Sequence, residues 1–199
     1  MPRQAREIYC DEYYHVIVRG NGRQWLFDDE EDFSFYLTTL DRYRQKYDVH
    51  IYHYCLMNNH VHLLMKSVST DHAITKVMHG TSMLYAFYFQ KKHKKTGHVF
   101  EDRFKNEHID SNEYLLECGR YIERNPLRAK LVSNPGDYRW SSYGYYAKGC
   151  ANHLITENPL YADMGSTAEV RRKLYADYVE GLRPYDTIME QYAKGQARL

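Results

Sequence analysis

The 199-residue chain predicts an α+β fold: an antiparallel β-sheet with helices packed on it, followed by a helical C-terminal segment. Three observations carry that reading. Strand-like and helix-like apolar patterns succeed one another in the order β-α-β-β-α-β-α. Two strand-like runs flank Asn58-Asn59, as in a hairpin. The helical stretches each keep one apolar face.

Residues 13–18, Tyr-Tyr-His-Val-Ile-Val, read as a strand running into an Arg19-Gly20-Asn21-Gly22 turn. From Asp28 an acidic first turn opens a helix with Phe33, Tyr36, Leu37, Leu40 and Tyr43 at helical spacing, and carboxylates suit the positive end of a helix. β-branched and aromatic residues at 49–57 and the run 60–65 predict a strand pair joined at Asn58-Asn59. A second amphipathic helix at 72–90 carries Ile74, Val77, Met78, Leu84, Tyr85 and Tyr88. It runs into Lys91-Lys92-His93-Lys94-Lys95 and is expected to stop at Gly97. Residues 99–109 read as a fourth strand. Asp110 with Glu113 resembles a capping box for a helix ending near Pro126. Short helices are expected at 138–146 and 169–182. The chain then divides into a main domain, 1–148, and an accessory C-terminal segment, 149–199.

Composition narrows the function classes. Apolar residues at 43% and charged residues at 27% fit a folded globular chain rather than a disordered one. The longest uninterrupted apolar run, Met83 to Phe89, is far short of a membrane span. The first six residues carry no apolar stretch after their basic positions, so no secretory signal is expected and cytoplasmic residence is. Cys10, Cys55, Cys118 and Cys150 show no C-x-x-C spacing, which disfavours a zinc ribbon or disulfide scaffold. Net charge is only +1, so any nucleic-acid role must come from local charge. The 21 tyrosines and 11 histidines are the unusual feature. Most of the tyrosines read as ordinary packing.

Chemistry concentrates in two places. In Asn59-His60-Val61-His62-Leu63-Leu64, strand alternation sends His60 and His62 to one face and Val61, Leu63 and Met65 to the other. Two imidazoles on one face can grip a divalent cation, although in a chain this rich in histidine the pair alone does not separate a metal site from structural rings. On the helix at 111–125, Tyr121 and Asn125 lie roughly 40° apart, one turn above the other. Leu115, Cys118 and Ile122 form the neighbouring apolar stripe, with Arg120 and Arg124 on the opposite flank. Tyr121 therefore borders a core and a cationic surface, which also describes an ordinary tyrosine that packs its ring and wets its hydroxyl.

Taken together, Met57 through Leu64, Gly97 through Arg103-Phe104, Arg120-Tyr121-Ile122-Glu123-Arg124-Asn125-Pro126-Leu127-Arg128-Ala129 and Tyr138-Arg139-Trp140-Ser141-Ser142-Tyr143 resemble the REP-associated tyrosine transposases. These belong to the wider single-tyrosine HUH transposases of bacterial insertion sequences. Tyr14-His15-Val16 and Arg19-Gly20-Asn21 fit as well, and the resemblance covers roughly residues 8–146. Asn58 departs from it, standing where relatives usually have proline, with little consequence expected for metal binding.

The resemblance implies a ferredoxin/RRM-like, HUH-type sheet and a metal-dependent single-strand DNA endonuclease and strand transferase acting on hairpin DNA. It implies His60 and His62 as ligands of Mg²⁺ or Mn²⁺, Asn125 as third ligand, and Tyr121 as the nucleophile that forms a 5′-phosphotyrosine. Imidazole ligands suit the softer ion, so Mn²⁺ is expected to serve at least as well as Mg²⁺. Candidate DNA contacts are Arg19, Asn21, Arg103, Lys105, Arg120, Arg124 and Arg128, then Lys130, with Lys91, Lys92, Lys94 and Lys95 as a second patch. Trp140 and Tyr143 are expected to pack the last helix onto the sheet. Such an enzyme would act at the nucleoid, as a monomer or homodimer. A non-catalytic hairpin-binding protein on the same fold and an unrelated metallohydrolase built on His60 and His62 are the alternatives.

Overall fold

Strand alternation gives the sheet two apolar faces with different partners. The computed structural model describes residues 7–181. The first six residues, position 182 of the last predicted helix and the accessory segment from 182 onward lie outside the described residues. The elements are β1 (Tyr13–Arg19), α1 (Glu30–Lys46), β2 (Val49–Met57), β3 (His60–Ser67), α2 (Ala73–His93), β4 (Lys105–Ile109), α3 (Asn112–Arg128), α4 (Tyr143–Lys148) and α5 (Ala168–Glu180). The strands order as β2-β3-β1-β4, every neighbour antiparallel. This is the split βαβ arrangement of a ferredoxin-like sheet.

On one face Tyr14, Val16, Val18, Leu56, Val61, Leu63 and Met65 meet Leu40, Ile74, Val77, Tyr85 and Phe89 from α1 and α2 in the main core. On the other, Cys55, Met57, Leu64 and Ile109 meet Leu115, Cys118, Tyr121 and Ile122 of α3. A bulge in β2 between Ile51 and His53 shifts the alternation by one residue. It keeps Tyr54 and Leu56 in the main core and turns His53 toward α3, where its Nδ1 pairs with Glu123 at 3.0 Å. Beyond α3, Tyr143, Tyr146, Tyr161, Tyr175 and Val179 build a third core between α4 and α5. Much of the tyrosine surplus is packing of this kind. Among the described residues no helix is long and apolar enough to cross a membrane.

Several boundaries differ from the sequence reading. The fourth strand covers only its second half, because Val99 and Glu101 hydrogen-bond to Asn21 and Arg19 around the turn after β1. Helix α2 ends at His93, short of the stop expected at Gly97, with a left-handed Lys94 (φ 50°) as its cap. The cap of α3 is Ser111, whose hydroxyl accepts from the Tyr114 N–H at 3.2 Å, not Asp110. Residues 140–142 are not helical; they dock on the free edge of β2, with Leu56 N–H donating to Trp140 O and Ser142 N–H to Tyr54 O. The Trp140 ring stacks on Phe33 of α1 at 4.5 Å, so its side chain packs on a helix while its backbone joins the sheet edge. Helix α4 ends at Lys148, and α5 packs on both α4 and α3.

Candidate active site

β3 opens with His60, and its parity sends His60 and His62 to the face that α3 crosses, away from α1 and α2. The two imidazole centroids lie 4.9 Å apart. From α3, Tyr121 meets His62 edge to face at 5.8 Å. Its ring also meets that of His15 from β1 at 5.9 Å. Helix α3 can sit this close because Gly119 has no side chain: a Cβ there would fall 2.7 Å from His53 Nε2. His15, His62 and Tyr121 are buried and His60 is half-buried. His62 does not stand on an open face, because α3 covers it.

The nitrogen inventory bears on metal binding. His60 Nδ1 lies 2.6 Å from Asn59 Oδ1, an acceptor only, so that nitrogen carries the hydrogen and Nε2 keeps its lone pair. His62 Nδ1 is hydrogen-bonded to His15 Nε2 at 2.9 Å, leaving Nε2 as its outward nitrogen. Burial, with the Arg19 charge adding, lowers the His60 pKa to about 4. Burial lowers His15 to about 4 as well. His62 is held well below the ordinary histidine range by burial, then by its histidine neighbours, Arg19 and Arg128. Neutral imidazole is the form that ligates a cation. Two such rings on one strand face fit a divalent metal.

Asn125 lies one turn beyond Tyr121 on α3, half-buried, and its Nδ2 donates to the carbonyls of Tyr121 (3.0 Å) and Ile122 (3.2 Å). With the amide nitrogen turned into the helix, Oδ1 is the atom left for a ligand. A second acidic and imidazole group, Asp28, Asp32 and His93, brings ligand atoms within 4.8 Å of one another on the helical layer. Its positive charge is the Lys92 ammonium, 2.7 Å from Asp29, 2.9 Å from Asp32 and 3.0 Å from Glu31. That arrangement is an ion network joining α2 to the start of α1.

The predicted DNA contacts separate into two sets. Arg19 faces His60 across the β1–β3 ladder. Asn21 is exposed on a 3-10 turn that Gly20 N–H fastens to the Asn59 carbonyl at 2.9 Å. Arg128 lies over the Tyr121 ring at 4.7 Å. Arg103 and Lys105 are exposed at the β4 edge, and Lys130 is exposed beyond α3. Arg120 and Arg124, by contrast, are buried. Arg120 Nε donates to Tyr178 O at 2.9 Å, and Arg124 Nη1 to Glu180 O at 3.0 Å and Gly181 O at 3.3 Å. They serve the carbonyls that a helix leaves unpaired at its C-terminus, here α5, and are corrected from DNA contacts to structural donors. Of the lysine patch, Lys92 is held by α1 carboxylates and Lys95 lies over Phe89, while Lys91, Lys94 and Lys95 are exposed. A cavity of about 380 Å³ lies between α2 and residues 97–104. Of the predicted site residues only Arg103 lines it.

Sequence reasoning gave no role to His15. The available signal was its parity with Arg19, already singled out on the same strand.

A ferredoxin-like sheet whose His-Val-His strand faces a helix tyrosine defines the class of single-tyrosine HUH transposases. Residues 9–125 match the family described as "Transposase IS200 like", and the chain belongs to that family. Its fold is similar to that of a REP-associated tyrosine transposase solved bound to a REP hairpin, with a TM-score of 0.59 and 13% identity over 79% of this chain and 93% of that one. A tRNA(His) guanylyltransferase from Saccharomyces cerevisiae is similar at a TM-score of 0.46 and 11% identity, over 93% of this chain and 84% of that one. No curated protein matches.

Proposed function

We propose that this transposase is a metal-dependent enzyme that nicks and rejoins single-stranded DNA at hairpin-forming, REP-like repeats, in DNA transposition or repeat mobilisation. The observation that carries this reading is the 5.8 Å approach of the Tyr121 and His62 rings, a helix phenol held against a strand imidazole pair within one chain. The hairpin substrate is drawn from the similar structure, which was solved with a REP hairpin.

Tyr121 is the nucleophile. Its Oη gives up its proton to solvent and attacks the phosphorus, the bond from phosphorus to the 3′ oxygen breaks, and that oxygen takes up a proton from solvent and leaves as a hydroxyl, so protons balance. The 5′ phosphate stays on the ring. In reverse, a 3′-OH attacks the phosphotyrosine and releases Tyr121, so strands rejoin without ATP. His60 and His62 through Nε2, with Asn125 through Oδ1, are the residues to hold Mg²⁺ or Mn²⁺, which when bound offsets phosphate charge as a Lewis acid. The Arg128 guanidinium over Tyr121 adds a fixed cation beside the attacked phosphate. Arg19, Asn21, Arg103 and Lys105 are the remaining candidate contacts to the DNA. With imidazoles and phenol in one chain a monomer suffices, and a homodimer is not required. Action on chromosomal repeats implies a nucleoid location.

The test is a labelled single-stranded hairpin from the protein's genomic neighbourhood incubated with Mn²⁺. The wild-type chain is expected to give a covalent adduct on a denaturing gel. Tyr121→Phe should abolish the adduct while hairpin binding persists. Unchanged nicking by that variant would remove Tyr121 from the mechanism, and binding without cleavage by the wild type would favour the non-catalytic hairpin-binding reading.

A further inference from the structure

Two imidazoles joined nitrogen to nitrogen share one hydrogen, so one ring donates and the other accepts. His15 Nε2 and His62 Nδ1 stand 2.9 Å apart, and both rings are buried. The rings lie nearly parallel, 20° and 5.1 Å apart. If His15 donated, the hydrogen of neutral His62 would sit on Nε2 and close the nitrogen that faces the site. If His62 donates, its Nε2 keeps a lone pair. His60 already follows the second pattern, its Nδ1–H committed to Asn59 and its Nε2 open.

The contact is set by strand register. His15 is paired with Leu64 and Ile17 with His62, so His15 reaches His62 on the diagonal, within the span of two aromatic side chains. The same ring meets Tyr121 edge to face at 5.9 Å. One side chain of β1 therefore braces both a proposed ligand on β3 and the proposed nucleophile on α3.

We propose that His15 is a positioning residue: its Nε2 accepts from His62 Nδ1–H, holding His62 in the tautomer and ring orientation that turn Nε2 toward a divalent cation. The inference rests on the metal reading above and deepens it. Outer partners of ligand imidazoles commonly govern affinity by 10- to 100-fold.

The experiment uses the full-length protein without DNA. Nitrogen-15 imidazole spectra of the metal-free chain should show His62 protonated on Nδ1 and His15 unprotonated on Nε2. Mn²⁺ titration followed by electron paramagnetic resonance should show binding roughly 10- to 100-fold weaker in His15→Phe, which keeps a ring but loses the acceptor. His15→Gln, whose amide oxygen restores an acceptor, should recover most of it, and thermal melts should confirm that both variants fold. A hydrogen on His62 Nε2, or Mn²⁺ binding by folded His15→Phe equal to that of the wild type, would overturn the proposal while sparing the metal reading. Failure of the wild-type chain itself to bind Mn²⁺ would overturn both.

Discussion

The side-chain amide of Asn125 donates to the carbonyl of Ile122 at 3.2 Å, standing in for a backbone N–H that Pro126 does not have. A proline normally breaks a helix at this point. Here α3 runs on to Arg128, because the orphaned carbonyl finds a donor one residue earlier in the chain. The substitution has a second effect: drawing the amide nitrogen into the helix leaves Oδ1 as the outward atom, the one proposed to reach the metal.

Replacing Pro126 by Ala restores the N–H and removes the demand on the Asn125 amide. We expect the thermal midpoint to rise, since an interior proline is unfavourable by about 3 kcal/mol relative to alanine before local compensation. Hairpin cleavage should fall several-fold as Oδ1 loses its fixed direction. Parallel melting curves and single-turnover nicking assays check this. A variant both more stable and fully active would show that Pro126 does not orient Asn125.

The burial of Arg124 beneath α5 separates stability from DNA binding. Arg124→Ala strips donors from the last carbonyls of α5, and hydrogen bonds from charged groups contribute roughly 1.5–3 kcal/mol each. The urea midpoint should drop accordingly. Arg103→Ala, at the exposed β4 edge, should leave that midpoint unchanged, weaken hairpin binding and reduce the salt slope by about one unit. Urea titrations together with binding isotherms at several salt concentrations distinguish the two behaviours. A stable Arg124→Ala chain with weakened DNA binding would return that residue to the DNA surface.

The Asp32 carboxyl predicts an acid limit to stability. Burial by itself would raise its pKa, but the Lys92 ammonium, the Asp28 backbone N–H, His93 and Tyr88 more than offset this and hold it below the ordinary value. A carboxylate depressed in the folded state contributes stability that is complete above its unfolded pKa, near 3.8, and disappears as pH falls through the folded value. Asp32→Asn should therefore lower stability at neutral pH by roughly 1.5 kcal/mol, because Lys92 keeps Asp29 and Glu31 but loses its charged hydrogen bond to the buried carboxylate. The gap from the wild type should narrow only below about pH 4. The neutral site imidazoles, with His15 near 4, lose stability in both chains as pH falls from about 6.5 to 4 and cancel in the difference. Urea midpoints measured from pH 3 to 7 test this. A gap that does not change with pH would show that the carboxylate charge is not what stabilises the helical layer.

Local pattern was enough to find the sheet, the helices and the two segments that carry the candidate site. Alternation along β3 placed His60 and His62 on one face, and helical spacing placed Asn125 one turn beyond Tyr121. These relations depend only on backbone periods of about 2.0 and 3.6 residues. Three features lay beyond that reach. The diagonal contact of His15 with His62 needs the β1–β3 register. The turn of His53 toward Glu123 needs the bulge in β2. The burial of Arg120 and Arg124 needs α5, a helix more than forty residues downstream. Periodicity reports which residues of one element share a face. What covers that face is decided by packing between segments distant in sequence, and so a pattern that read as a cationic surface on α3 became the buried cap of another helix.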